Sequence, residues 1–292
     1  MLYPTISNMI SVRSYSGVID NYVTKVSKYD KAYNSLLYRQ AFAYNKSLTS
    51  TSMADAFTYP SKEESEAYSK LLNVDNTGVM GYISIPKINV RIPIYHGTSE
   101  KTLEKGVGHL EGSSLPIGGI GNHVILSAHR GLPSSKLFSD LDQMRVGDQF
   151  YIYVLNKTLA YQIDSVKVIK PSELDSFVKE EDKDYVTLVT CTPYGVNTHR
   201  LLVRGSRVEY KKAETNKIEG SRKLSVADIV LYASILLVII VIIVSIIVIS
   251  KSNKKKKLLE ANNNYTDNPN LQEKNLDNNQ SEYHNNNDIP LI

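Results

Sequence analysis

The chain has 292 residues, of which 42% are hydrophobic and 22% charged, with a formal charge of +4; this ordinary balance excludes a wholly disordered or fibrous protein. One Cys beside 20 Tyr and no Trp excludes an intramolecular disulfide and a multi-thiolate metal site. Much of the small positive charge lies in lysines next to one apolar run, so it gives no reason to expect nucleic acid as a partner.

Residues 1–17 (MLYPTISNMISVRSYSG) hold no apolar stretch of the roughly 7–15 residues that the core of an export signal needs. From 18 to 48, Ile19, Tyr22, Val23, Val26, Tyr29, Tyr33, Leu36 and Leu37 recur three and four apart, which predicts an amphipathic helix. Residues 49–62, with Ser, Thr, Asp and Pro60, predict a flexible loop, and 63–72 a short helix before Gly78. At Gly81 the period changes to two: Tyr82, Ile83, Ser84 and Ile85, then Ile88, Val90, Ile92 and Ile94, which is strand chemistry. Further strands are predicted at 123–128, 149–155, 159–168, 186–191 and 199–209, with a hairpin turn at Asn156 and Lys157. Many short strands punctuated by Gly and Pro, with few helices, argue for a β-barrel or sandwich rather than a parallel α/β sheet.

Residues 229–249 are 21 uncharged residues, about 31 Å as a helix, long enough for a bilayer core near 30 Å. A transmembrane helix is expected there. Within ten residues of its ends the Lys/Arg balance is two before against five after, the latter including Lys254 to Lys257, which favours an extracellular globular part and a cytoplasmic C-terminus. A large exported domain ahead of its only span requires a signal, so a further hydrophobic segment upstream of Met1 is expected. The last 43 residues, 250–292, are mostly polar, with eleven Asn between Asn262 and Asn287, and are expected to be disordered. The organisation that follows is an N-terminal helical region over 1–80 containing the loop at 49–62, a barrel over 81–210, a linker over 211–228, the span over 229–249, and the tail.

Cys191 ends the strand-like run from Asp184 and is followed by the loop signature Thr192-Pro193-Tyr194-Gly195. A thiol at a strand end beside a loop is where a rigid scaffold presents a nucleophile, although a lone Cys is commonly a small buried hydrophobe. A thiol is mostly protonated at neutral pH and needs a nearby cation or base to react. His199 and Arg200 follow eight and nine residues on; an antiparallel return brings one of them alongside, and strand parity alone leaves open which. His129, at the end of the apolar run 123–128, is a second polar candidate. No HExxH or paired His/Cys spacing is present, so a catalytic metal is not expected.

The run from Thr187 to Gly205 (TLVTCTPYGVNTHRLLVRG), with 123–133 (HVILSAHRGLP) and 110–116 (LEGSSLP), resembles the class C, pilin-polymerising sortases of Gram-positive bacteria. The resemblance covers about residues 2–210 and the C-terminal membrane helix. It implies a closed eight-stranded β-barrel and a site of Cys191 as nucleophile, His129 as general acid and base, and Arg200, rather than His199, as stabiliser of substrate and oxyanion. It implies cleavage of an LPXTG-type sorting signal between Thr and Gly, and transfer to a lysine of a pilin subunit as an isopeptide bond, with no cofactor. Relatives carry a lid with an Asp-Pro-aromatic motif; here it reads Asp55-Ala56-Phe57, and loss of the proline implies a looser loop. A membrane-tethered thiol hydrolase and a catalytically dead scaffold are the alternatives.

Overall fold

The computed structural model describes residues 3–48, 66–74, 76–176, 180–212 and 226–266, in two compact units, Met1–Arg222 and Lys223–Ile292. In the first, eight strands close into a barrel: β1 (Val79–Ile85), β2 (Val90–His96), β3 (Val107–His109), β4 (Asn122–Ser127), β5 (Gln149–Val154), β6 (Lys157–Ile169), β7 (Asp184–Thr192) and β8 (His199–Val208). Their order around the barrel is β1-β2-β3-β4-β7-β8-β6-β5. The pairs β2/β3 and β4/β7 are parallel and the other six antiparallel.

Alternation assigns the two faces of each strand. Val124, Leu126 and Ala128, Val186 and Leu188, and Leu201 and Val203 fill the interior. Ile125, Val189 and Leu202 form a separate apolar cluster with Leu110 and Ile169, on the outer face of β4, β7 and β8. Gly81 sits where β1 meets β5, and a Cβ there would lie 2.3 Å from the Tyr153 carbonyl oxygen; only glycine permits this backbone approach.

The region expected to be one helix is two, α1 (Tyr3–Lys28) and α2 (Lys31–Ser47). Asp30 caps α2, its carboxylate accepting from the Tyr33 N–H at 2.7 Å; the three-and-four spacing crosses this break because it counts residues and is blind to direction. On α1, buried Tyr15, Ile19, Tyr22 and Val26 face the barrel, and the Tyr22 hydroxyl donates to the Met80 carbonyl and accepts from Leu155 N–H. The short β3 escapes periodicity because three residues, the middle one Gly108, carry no period. The β5–β6 turn is Leu155-Asn156, one residue ahead of expectation, since Val154 already pairs with Lys157.

Two short helices flank β3: α3 (Glu66–Ser69) and α4 (Glu100–Lys105). Tyr68 on α3 and His109 on β3 are both fully buried. The Nε2 of His109 lies 2.8 Å from the Ser114 carbonyl and its Nδ1 2.7 Å from the Tyr68 hydroxyl, so the neutral ring donates from Nε2 and accepts at Nδ1. Burial, with the neighbouring His96 in the same sense and the Ser114 carbonyl opposing, lowers its pKa from 6.5 to about 4. The unfolded chain protonates this ring near pH 6.5 while the folded chain does not, so stability present above that pH is lost as pH falls toward about 4, with a ceiling of roughly 3 kcal/mol. Thermal unfolding midpoints are therefore expected to fall more steeply between pH 7 and pH 5 in the wild type than in His109→Gln; equal slopes would refute the assignment.

The second unit contains α5 (Val226–Thr266). Within its stretch Tyr232–Glu260 an 18-residue window has a mean hydropathy of 3.3, and the helix is long and apolar enough to cross a membrane. The helix runs beyond the apolar residues into the stretch read as tail, because Lys254 to Lys257, Leu258, Leu259 and Glu260 are good helix formers extending a helix already nucleated. Residues 267–292 lie outside the described residues.

Candidate active site

Three of the candidate residues meet at one end of the barrel. Cys191, the last residue but one of β7, is directly opposite Arg200, the second residue of β8. Opposed residues of an antiparallel pair share a face, with Cα atoms about 4.5–5.5 Å apart. Thr192 opposes His199 on the other face, where His199 Nδ1 lies 2.9 Å from the Thr198 hydroxyl. The register therefore places Arg200 beside the thiol and His199 away from it. In the parallel β4/β7 pair Ser127 is beside Val189, and the ladder continues from Ala128 N–H to the Val189 carbonyl at 3.1 Å. His129 follows the end of β4 two residues past Ser127, as Cys191 stands two residues past Val189. By alternation the Cys191 and Arg200 side chains belong to the outer face, above the apolar patch of Ile125, Val189 and Leu202.

Cys191 is a buried free thiol, and Arg200 is only 5% exposed. The Arg200 Nη1 donates to the Asn197 and His199 carbonyls, each at 3.1 Å. Asn197 reaches this position with φ +61°, a left-handed conformation that asparagine tolerates. The guanidinium thus holds the β7–β8 loop as well as standing beside the thiol.

His129 Nε2 is 3.3 Å from a carboxylate oxygen of Glu100, the first residue of α4. The segment after His129 is pinned by α1: the Ser7 and Ser11 hydroxyls donate to the Ser134 carbonyl at 3.1 and 2.8 Å, the Lys136 N–H donates to Asn8, and the Tyr15 and Ser135 hydroxyls are 2.7 Å apart. Sequence reading missed Glu100 and this seam, since hydroxyl and amide contacts leave no apolar period to detect. The expected lid residues Asp55 and Phe57 lie outside the described residues.

A thiol and a guanidinium paired on one face of a closed barrel, beside an apolar patch, with an imidazole just past the end of the adjacent strand, form a constellation suited to acyl transfer through a thioester. Comparisons with known proteins agree with that class. Residues 83–208 match the Sortase domain family. A sortase C of Streptococcus pneumoniae is 45% identical with a TM-score of 0.62, the alignment covering 66% of this chain and 97% of that one. Sortase C1 of Streptococcus agalactiae is 50% identical with a TM-score of 0.59, covering 66% and 99%. Sortase A of Bacillus anthracis is 30% identical over 139 residues, 48% of this chain and 64% of that relative's length. The chain belongs to the sortase family of cysteine transpeptidases, and these solved neighbours place it with the class C sortases.

Proposed function

We propose that this chain is a pilin-polymerising transpeptidase that uses Cys191, His129 and Arg200. The observation that carries the reading is the register pair Cys191 and Arg200, with His129 following the end of β4, the strand paired to β7 on its other side. The Cys191 thiolate attacks the Thr carbonyl of an LPXTG-type signal; a C–S bond forms, the Thr–Gly C–N bond breaks, and His129 gives its proton to the departing glycine amine. Arg200 donates to the oxyanion that develops in between. A pilin lysine amine then attacks the thioester, its proton passes to His129, the C–S bond breaks, and the thiolate is restored. One amide is exchanged for another, so neither ATP nor a cofactor is needed. The apolar patch of Ile125, Val189 and Leu202 offers burial to the apolar residues of the signal.

The test incubates the full chain with a sorting-signal peptide, with and without a lysine donor from the pilin. Transfer to the donor, through a thioester found by mass on Cys191, is the expected result; release of free acid in both arms would favour a hydrolase, and no reaction a scaffold.

In this reading α5 anchors the enzyme with the barrel outside the cell and the tail inside, the lysines Lys254 to Lys257 lying on the cytoplasmic side. Asp55 and Phe57 act as a lid, Asp55 pairing with Arg200 and Phe57 covering the thiol. Asp55→Ala and Phe57→Ala should then raise the rate at which a small thiol reagent labels Cys191, since access limits it, and Ala56→Pro should lower it. Equal rates in all three variants and the wild type would remove the lid from this account.

A further inference from the structure

Arg130 directly follows His129, and Thr192 directly follows Cys191. The Arg130 side chain is 8% exposed and its guanidinium is fully engaged. Nη1 donates to the Thr192 hydroxyl at 2.9 Å, Nε to the Ser139 carbonyl at 3.1 Å, and Nη2 pairs with the Asp142 carboxylate. One residue on, Gly131 has φ +83° and lies so close to the Tyr194 ring that a Cβ would meet it at 3.2 Å. The same ring has the Arg130 guanidinium 5.9 Å from its centroid. These contacts join the segment after β4 to the end of β7 and the loop that follows it, one to three residues beyond the two reacting groups.

We propose that Arg130 is a positioning residue that fixes the separation of His129 and Cys191 by tying the ends of β4 and β7 together through Thr192. On the near side of the two reacting groups the strand ends are joined by the Ala128 N–H to the Val189 carbonyl at 3.1 Å and the Thr190 hydroxyl to the Ala128 carbonyl at 2.7 Å; the β4/β7 ladder ends there, and the Arg130–Thr192 contact is the tie on the far side. Proton delivery from His129 to the leaving amine demands near-contact geometry, and a displacement of about 1 Å can cost on the order of a hundredfold in rate. The planar fork suits the task because its three nitrogens reach three separated acceptors in a fixed plane, whereas an ammonium's donors all radiate from one atom. Asp142, 49% exposed, steadies the far side of the guanidinium and touches neither reacting residue.

The inference rests on the roles given to Cys191 and His129 above. The test uses the full chain in detergent and two readouts: kcat and KM with a sorting-signal peptide, and the pH profile of alkylation by iodoacetamide, which reports on Cys191 alone because it is the chain's single cysteine. Arg130→Ala is expected to lower kcat by about 10–100-fold with KM within about threefold. Its alkylation profile moves to higher pH, because a more distant imidazolium supports the thiolate less. A merely opened loop would raise the plateau rate and leave the midpoint in place. Thr192→Val should move both readouts in the same direction by less, and the double variant should fall no further than Arg130→Ala. Asp142→Asn should lower the thermal midpoint yet keep kcat within about threefold and the profile in place. Should Arg130→Ala fail to fold, Arg130→Lys and Thr192→Val carry the comparison. Wild-type kcat and profile in both of those, or an equal kcat loss in Asp142→Asn and Arg130→Ala, would overturn the proposal. Transfer surviving in Cys191→Ala would instead defeat the assigned reaction, and the alkylation profiles would still judge the tie.

Discussion

Cys191→Ala is expected to lose transfer by more than about a thousandfold while remaining folded. Removing the nucleophile removes the covalent path, and residual binding by Arg200 and the apolar patch cannot replace it. The thiol is small and buried, so losing the sulfur atom should cost only on the order of 1 kcal/mol of stability. Its thermal midpoint should therefore stay close to the wild type. The measurement is product formation with a lysine donor, beside a thermal unfolding curve on the same sample. A folded Cys191→Ala that still transfers would mean that another group carries the acyl chain.

The second large effect separates two neighbouring residues. Arg200→Lys should lower kcat by about a hundredfold, the scale on which removing one donor to an oxyanion is felt, because an ammonium cannot reproduce the planar fork. The same guanidinium donates to the Asn197 and His199 carbonyls, so part of the damage would come from a loosened β7–β8 loop. A thermal midpoint for each variant divides the two contributions. His199→Ala should keep activity within about threefold, since His199 opposes Thr192 on the other face and its ring rests against Thr198. If His199→Ala were as impaired as Arg200→Lys, the face assigned to the guanidinium would be wrong.

Much of this chain is legible in its residues. Seven of the eight strands carry their own alternation or apolar run, and the membrane helix declares itself by an uncharged length that matches a bilayer. The TLVTCTPYGVNTHRLLVRG run marked the thiol and, through its resemblance to the class C sortases, the arginine that goes with it. These features are local, and local chemistry is what a single chain displays.

Tertiary structure alone decided what depends on pairing between distant segments. Strand parity left His199 and Arg200 equal until the register set Cys191 opposite Arg200. The three-residue β3 exists because β2 and β4 supply its hydrogen bonds, and nothing in its own composition asks for a strand. The break at Asp30 turned one periodic stretch into two helices, and the first runs back to Tyr3 because hydroxyls and an amide, invisible to any hydrophobic pattern, bind it to the segment after His129. Arg130 reaches Thr192 across 62 positions of chain. Spacing along a strand or helix governs which residues share a face, but only the pairing of β4 with β7 brings the chain that leads into His129 beside the strand that carries Cys191.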